Sequence, residues 1–308
     1  MNGSEVLENV TRKEGQPGVS VPPAKGRGKD VKRKAARITG IVIAYLFLAC
    51  VCFTCLFPFV WMLFSSLKTA KEVTNTLTIV FLPQVPQWHN YATVFEKINI
   101  WRGLLNTMTV EIATIPLCVF FSGLSAFAFS KMELKHRDVH LMIQLSALMI
   151  PYACVVLPIY KAYYQLNLTN TLLPLILPSL FGGVSMMFFF VQFQRSIPNA
   201  IFEAAKVDGA GYFKQYVCIM IPMMGPAIAA QVIFMFIGNW NDYFAPSLYL
   251  TTEKSMTLQL MLKSLSDSQV DLPITFAGAV IACVPLYVIY IIFQKYFIDG
   301  MAISGVKG

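Results

Sequence analysis

The chain has 308 residues, 56% of them hydrophobic and 13% charged, and a mean hydropathy of +0.60. That composition excludes an ordinary soluble globular domain and predicts an all-α integral membrane protein, since a spanning helix takes roughly 20 mainly apolar residues and the sequence offers several such runs. The net charge of +8 is carried largely by the amino terminus.

Residues 1–37 hold nine Lys and Arg, including Lys32-Arg33-Lys34 just ahead of the first apolar run. Their Gly, Pro, Ser and charge content predicts a disordered basic cytoplasmic tail lying beside anionic membrane lipid. A nucleic-acid-binding arm is the alternative, and the hydrophobic helix that follows at once argues against it. The segment also lacks the apolar stretch of a cleaved signal peptide.

From residue 38 to 308 the apolar runs predict a six-helix transmembrane domain, with spans near 38–64, 105–130, 138–162, 170–194, 217–248 and 274–298. The first span carries Cys50, Cys52 and Cys55, which lack a partner His or second Cys pair and are read as small apolar side chains, not metal ligands. Between the first two spans, Trp88, Tyr91, Phe95 and Trp101 suit a helix lying in the membrane interface. Proline interrupts most later spans, at Pro151, Pro158, Pro174, Pro178, Pro222, Pro226 and Pro285. Each frees a backbone carbonyl that neighbouring helices or a wet cavity must satisfy, so a solute path and plain kinked packing both remain open.

With six spans both termini share one side. That side counts 17 Lys and Arg against seven on the other, which predicts cytoplasmic termini. An ionisable residue inside a span costs at least ~2.5–3.5 kcal/mol on insertion scales, so each one is a functional candidate. Glu111 in the second span qualifies, as does Asp242 with Asn239, Trp240 and Asn241 toward the end of the fifth. Such groups can bind the hydroxyls of a small solute, with Trp240 or a nearby Phe or Tyr against an apolar face of it; hydrogen bonding between helices or to a partner chain is the alternative.

The connection between the fourth and fifth spans, residues 195–216, predicts a short helix of its own. Asn199 is the expected N-cap, Gly209 and Gly211 are the expected terminators, and Ala204 with Ala205 offers a surface that another backbone can approach. From the residues alone it is either a docking helix or a simple connector. Glu203-Ala204-Ala205, three residues, Gly209, nine residues and Ile219-Met220-Ile221-Pro222 resemble the E-A-A signature of binding-protein-dependent ABC importer permeases, with Ile221 where that family usually has Leu. Ser66-Leu67-Lys68-Thr69, Asn90-Tyr91, Trp240-Asn241-Asp242-Tyr243 with Pro246, and the ending Gly300 to Gly308 resemble the carbohydrate-uptake branch, in particular the smaller permease of the maltose type.

The resemblance covers the chain from about residue 38 onward and implies a cytoplasmic coupling helix seated in a cleft of a separate ATPase. Glu203 would be its polar anchor, Ala204 and Ala205 its packing surface, Asp208 a further polar contact and Gly209 its turn. It also implies a heterodimer with a second permease subunit, two cytoplasmic ATPase subunits and an extracytoplasmic solute-binding protein, which the loop at 250–273 would meet. No G-x-x-x-x-G-K-[ST] loop is present; Gly26-Arg27-Gly28-Lys29-Asp30 has neither its spacing nor its hydroxyl. ATP and Mg²⁺ therefore belong to the partner ATPase, and this chain is expected to carry no cofactor and no catalytic site. His136 and His140 are read as a solvated face. The alternatives are a secondary transporter, which would need an ion-coupling site within this chain, and an ABC permease for a non-sugar solute.

Overall fold

The computed structural model describes residues 27–75, 80–268 and 270–305, with the side chains of 27–36, 293 and 295–305 left aside. Most of the expected basic tail thus lies outside the described residues. Among these residues all regular structure is helical. The chain divides into two units, one ending at Phe59 and one beginning at Val60.

The first unit is the larger part of α1 (Arg27–Ser66). Its helical backbone begins ten residues before the predicted end of the tail, because Lys and Arg are good helix formers and the basic run Lys32-Arg33-Lys34 simply extends the helix that follows. No charged residue lies between Ile38 and Phe59.

In the second unit α2 (Ala70–Thr74) starts on a capping box: Thr69 Oγ1 accepts from the Glu72 N–H at 3.3 Å while Glu72 accepts from the Thr69 N–H at 2.8 Å. The bonds that the Glu72 carboxyl accepts from the Thr69 and Gln84 N–H groups, with a weaker one from the Thr69 hydroxyl, hold it below the usual carboxylate range. Lys68 is buried; its ammonium donates to Val80 O at 2.5 Å and lies 4.3 Å from the Trp61 ring centre. Burial lowers its affinity for the proton, only partly offset by Glu72.

The helix α3 (His89–Lys97) is tied to this turn, since Asn90 Nδ2 donates to the carbonyls of Ser66 and Lys68 and the Tyr91 hydroxyl meets that of Ser66 at 2.7 Å. Two separated motifs of the sequence are therefore one knot. Trp88, Phe95 and Trp101 are exposed around it.

The long helix α4 (Ile100–Lys131) is the centre of the bundle. Asn99 starts it by accepting from the Arg102 N–H, five residues ahead of the predicted span. The remaining helices are α5 (Arg137–Ala147), α6 (Tyr152–Gln165), α7 (Leu173–Ile176) continued by a 3₁₀ turn (Leu177–Phe181), α8 (Val184–Arg195), α9 (Asn199–Val207), α10 (Tyr212–Gln215) continued by a π-helical turn (Tyr216–Met220), α11 (Ile221–Met223), α12 (Gly225–Trp240), α13 (Phe244–Tyr249), α14 (Leu258–Asp267) and α15 (Leu272–Gly305).

Among the described residues four helical segments are long and apolar enough to cross a membrane: Arg37–Ser66, Ile100–Lys131, Leu173–Arg195 and Leu272–Ile292. The predicted third and fifth spans are instead bent pairs, α5 with α6 at 85° and Tyr212–Met223 with α12 at 79°. Proline accounts for both. Pro151, with extended ψ of 135°, leads into α6, and Pro226, the second residue of α12, lacks the N–H that would carry the hydrogen-bond ladder across the second bend.

One core joins α4, α8, Phe202 of α9, the π turn and α12, built on Phe127, Phe190, Tyr216 and Met220. A second joins α3, α4, α12, α14 and α15 around Val94, Leu258 and Trp240. Gly103 permits the second: a Cβ there would stand 3.1 Å from the Leu258 Cα and 2.9 Å from the Met261 sulfur.

Candidate functional site

Two features bring the predicted residues into a functional arrangement, a clamped helix at 199–207 and an apolar cavity beside α4. Pro198, with extended ψ of 136°, turns the chain into α9, and Asn199 is the first helical residue, not the expected N-cap. Its side chain is engaged elsewhere. Lys131, the last residue of α4, donates to Asn199 Oδ1 at 2.8 Å and to the Ile197 carbonyl at 2.6 Å, with its ammonium 5.2 Å from the centre of the Phe202 ring.

Phe202 and Ala205, three apart and so on one helical face, are buried within this chain; Phe202 meets Phe127 at 5.8 Å. Glu203, Ala204, Lys206 and Asp208 are exposed, and Val207 is 89% exposed. Ala204 and Ala205, expected to form one surface, therefore point to different faces, since successive helical residues are 100° apart. The helix ends in a Schellman motif: Gly209, at φ +79°, donates to Lys206 O at 3.1 Å and the Ala210 N–H donates to Ala205 O at 2.8 Å. Gly211 caps the next helix. Clamped at both ends, α9 presents Glu203, Ala204 and Val207 outward on a fixed stub.

The cavity, of about 810 Å³, is walled by α4, α6, the 3₁₀ turn, α13 and the ends of α12 and the 250–257 loop. Its surface is mostly apolar and aromatic, with Tyr152, Tyr163, Tyr249 and Phe244 along one side. Tyr163 and Tyr249 meet edge to face at 5.3 Å, and the Tyr152 and Tyr249 hydroxyls are 3.1 Å apart, so the aromatic wall is held by its own contacts.

Glu111, Asn239 and Asp242 line it together. Asn239 Nδ2 donates to Glu111 Oε2 and to Thr114 Oγ1, both at 3.2 Å, fixing α12 to α4. Asp242 Oδ1 accepts the N–H groups of Phe244 and Ala245 at 2.9 and 3.3 Å and so starts α13. Trp240 and Asn241 lie elsewhere. Trp240 is fully buried, stacked on Phe236 and donating Nε1–H to the Ala282 carbonyl, which ties α12 to α15. Asn241 donates back to Ile237 O on another face.

Sequence reasoning missed five contributors: Lys131, Tyr152, Tyr163, Tyr249 and Thr257. Lys131 was counted only as a topology charge, the three tyrosines were not separable from other aromatics, and Thr257 lies in a stretch with no motif. Among the described residues no group of three or more His, Cys, Asp and Glu is placed to hold a metal ion.

Most of the chain is similar to known transport proteins. Residues 35–303 match the family model described as binding-protein-dependent transport system inner membrane component. The chain is 30% identical over 283 residues to an arabinooligosaccharide transport system permease of Halalkalibacterium halodurans, covering 90% of this chain and all of that one. It is also 30% identical over 242 residues to a diacetylchitobiose uptake system permease of Streptomyces coelicolor, covering 77% and 80%. A chain of a crystallised bacterial ABC transporter that imports the acidic polysaccharide alginate shares the fold, with a TM-score of 0.72, 24% identity and coverage of 89% and 99%. The chain thus belongs to the family of inner-membrane components of binding-protein-dependent transport systems, and its all-helical architecture is that of an ABC importer permease.

Proposed function

We propose that this chain is one of two permease subunits of an ATP-driven importer for a sugar or oligosaccharide, coupled to a separate ATPase through the 195–216 loop. The observation that carries the coupling is the stub itself: a short helix whose apolar face is buried in its own bundle and whose Glu203, Ala204 and Val207 face is left outward. The sugar follows from the uptake systems named above, two of them for oligosaccharides.

Counting each bent pair as one span gives six crossings, and the excess of Lys and Arg then argues for cytoplasmic termini and a cytoplasmic loop. ATP and Mg²⁺ bind two ATPase subunits, in whose clefts Glu203 and Asp208 make polar contacts, Ala204 packs and Gly209 sustains the turn. An extracytoplasmic binding protein delivers the solute. Closure of the ATPase pair draws the two coupling helices together, and the permease pair opens the cavity bounded by Glu111, Asn239 and Asp242 to the outside. Trp240 supports that path by tying α12 to α15, and Asn241 by closing the last turn of α12.

Affinity purification from the native membrane in mild detergent, with mass spectrometry and an ATPase assay of what is recovered, tests this reading. Recovery of a second permease and an ATPase whose hydrolysis rises with solute and binding protein is the expected result. A chain that purifies alone and transports alone would overturn it in favour of a secondary carrier.

Lys131 offers a separate check. Lys131→Met removes both donors that hold the start of α9 while keeping the apolar stem against Phe202. Loss of a charge-assisted bond costs about 1.5–3 kcal/mol, so uptake should fall about tenfold or more with the solute affinity of the assembly unchanged. Equal losses in affinity and in uptake would speak against a positioning role.

A further inference from the structure

The cavity contains two buried polar atoms with no partner among the described residues. Glu111 is 2% exposed; Oε2 receives Asn239 but Oε1 receives nothing. Thr257 is 5% exposed and its Oγ1 also lacks a partner. Both line the same cavity, and they reach it from different parts of the chain, α4 and the turn before α14. A buried acceptor left unpaired is costly, and a native protein tolerates one where a ligand or water completes it.

The charge of the lining is one-sided. It holds two carboxyl groups, Glu111 and Asp242, and no Lys, Arg or His among the described residues. Lys161 lies between the lining residues Ile159 and Tyr163 on α6, but its side chain is exposed and is not part of the wall. A hydroxyl-rich uncharged solute can donate to Glu111 Oε1 and exchange a hydrogen bond with Thr257 Oγ1 while its ring lies on the tyrosine wall. An anionic sugar would bring a like charge beside two carboxyl groups where screening is weak.

Resting on the importer reading above, we propose that this subunit itself holds part of the solute site and selects uncharged sugars over sugars bearing a carboxylate or sulfonate, with Glu111 as the selecting group and Thr257 as a second contact. The solute belongs to the neutral oligosaccharides.

The test is equilibrium binding to the assembled importer in detergent, without its binding protein, using xylotriose and trigalacturonate as probes of equal length. Xylotriose should bind about tenfold or more tightly than trigalacturonate. Glu111→Gln should weaken xylotriose about tenfold while improving trigalacturonate, a gain that misfolding cannot imitate, and Thr257→Val should weaken xylotriose alone. Trigalacturonate binding as tightly as xylotriose, or a Glu111→Gln importer with unchanged preference, would overturn the proposal and leave the importer reading intact. If neither probe binds while the ATPase and second permease co-purify, the site falls and the importer reading survives. If no partner co-purifies, it is the importer reading that fails.

Discussion

Glu203→Ala is expected to leave membrane insertion and folding of the chain intact and to reduce uptake at least tenfold, with the ATPase lost from the purified assembly. Glu203 is exposed on α9 and its side chain makes no hydrogen bond or ion pair among the described residues, so its removal leaves Phe202 and Ala205 in the core and the Gly209 turn in place. Its effect comes only through a partner. Truncating a charge that is buried and hydrogen-bonded across an interface costs about 2–5 kcal/mol, and 1.4 kcal/mol is tenfold in an equilibrium constant. Ala204→Lys, on the same outward face, should act in the same direction by placing a long charged side chain where a small one packs. Ala205→Lys should differ, since that site is buried and the chain itself should lose stability. Detergent size-exclusion reads folding, co-elution reads ATPase recruitment, and uptake in reconstituted vesicles reads coupling. Normal recruitment and uptake in both Glu203→Ala and Ala204→Lys would sink the coupling role of this loop.

The contrast between Ala204 and Ala205 shows where sequence reading stops. That residues 199–207 form a helix ended by Gly209 was legible, because Pro198, the helix formers and the glycine are local signals. Which alanine faces inward was not, since the buried face of α9 is set by the packing of Phe202 on Phe127, far away in sequence. Lys131 was visible as a charge at the end of a span, but its bonds to Ile197 and Asn199 join residues more than sixty apart. Glu111, Asn239 and Asp242 were found through the high cost of polar groups in a bilayer, and the structure brings those three to one cavity. Trp240, singled out as an apolar face for a solute, lies outside that cavity, because an indole can satisfy its single N–H on a backbone carbonyl, here that of Ala282, and be buried as an apolar side chain. The 85° and 79° bends were only half legible: proline marks where a helix can break, and packing decides how far it turns.

The cavity wall depends on one glycine whose substitution should harm folding more than any single polar change there. Gly182 joins the 3₁₀ turn to α8 at φ 70° and ψ −178°, a region open essentially to glycine alone. Its backbone also lies directly on α4. A Cβ at Gly182 would stand 2.9 Å from the Ser122 backbone nitrogen and 3.2 Å from the Ser122 Cα, so relief requires moving a helix, not rotating a side chain. The contact is further held by the Gly183 N–H, which donates to Ser122 Oγ at 2.8 Å. Backbone strain of about 1–3 kcal/mol adds to an overpacking cost of about 1–3 kcal/mol. Gly182→Ala should therefore lower the unfolding temperature in detergent by about 5–10 °C. Gly211→Ala is the control: its φ of −66° suits any residue and a Cβ there meets nothing within 4 Å. Equal unfolding temperatures for the two variants would mean that the 3₁₀ turn is not seated against α4, and the wall of the cavity would have to be redrawn.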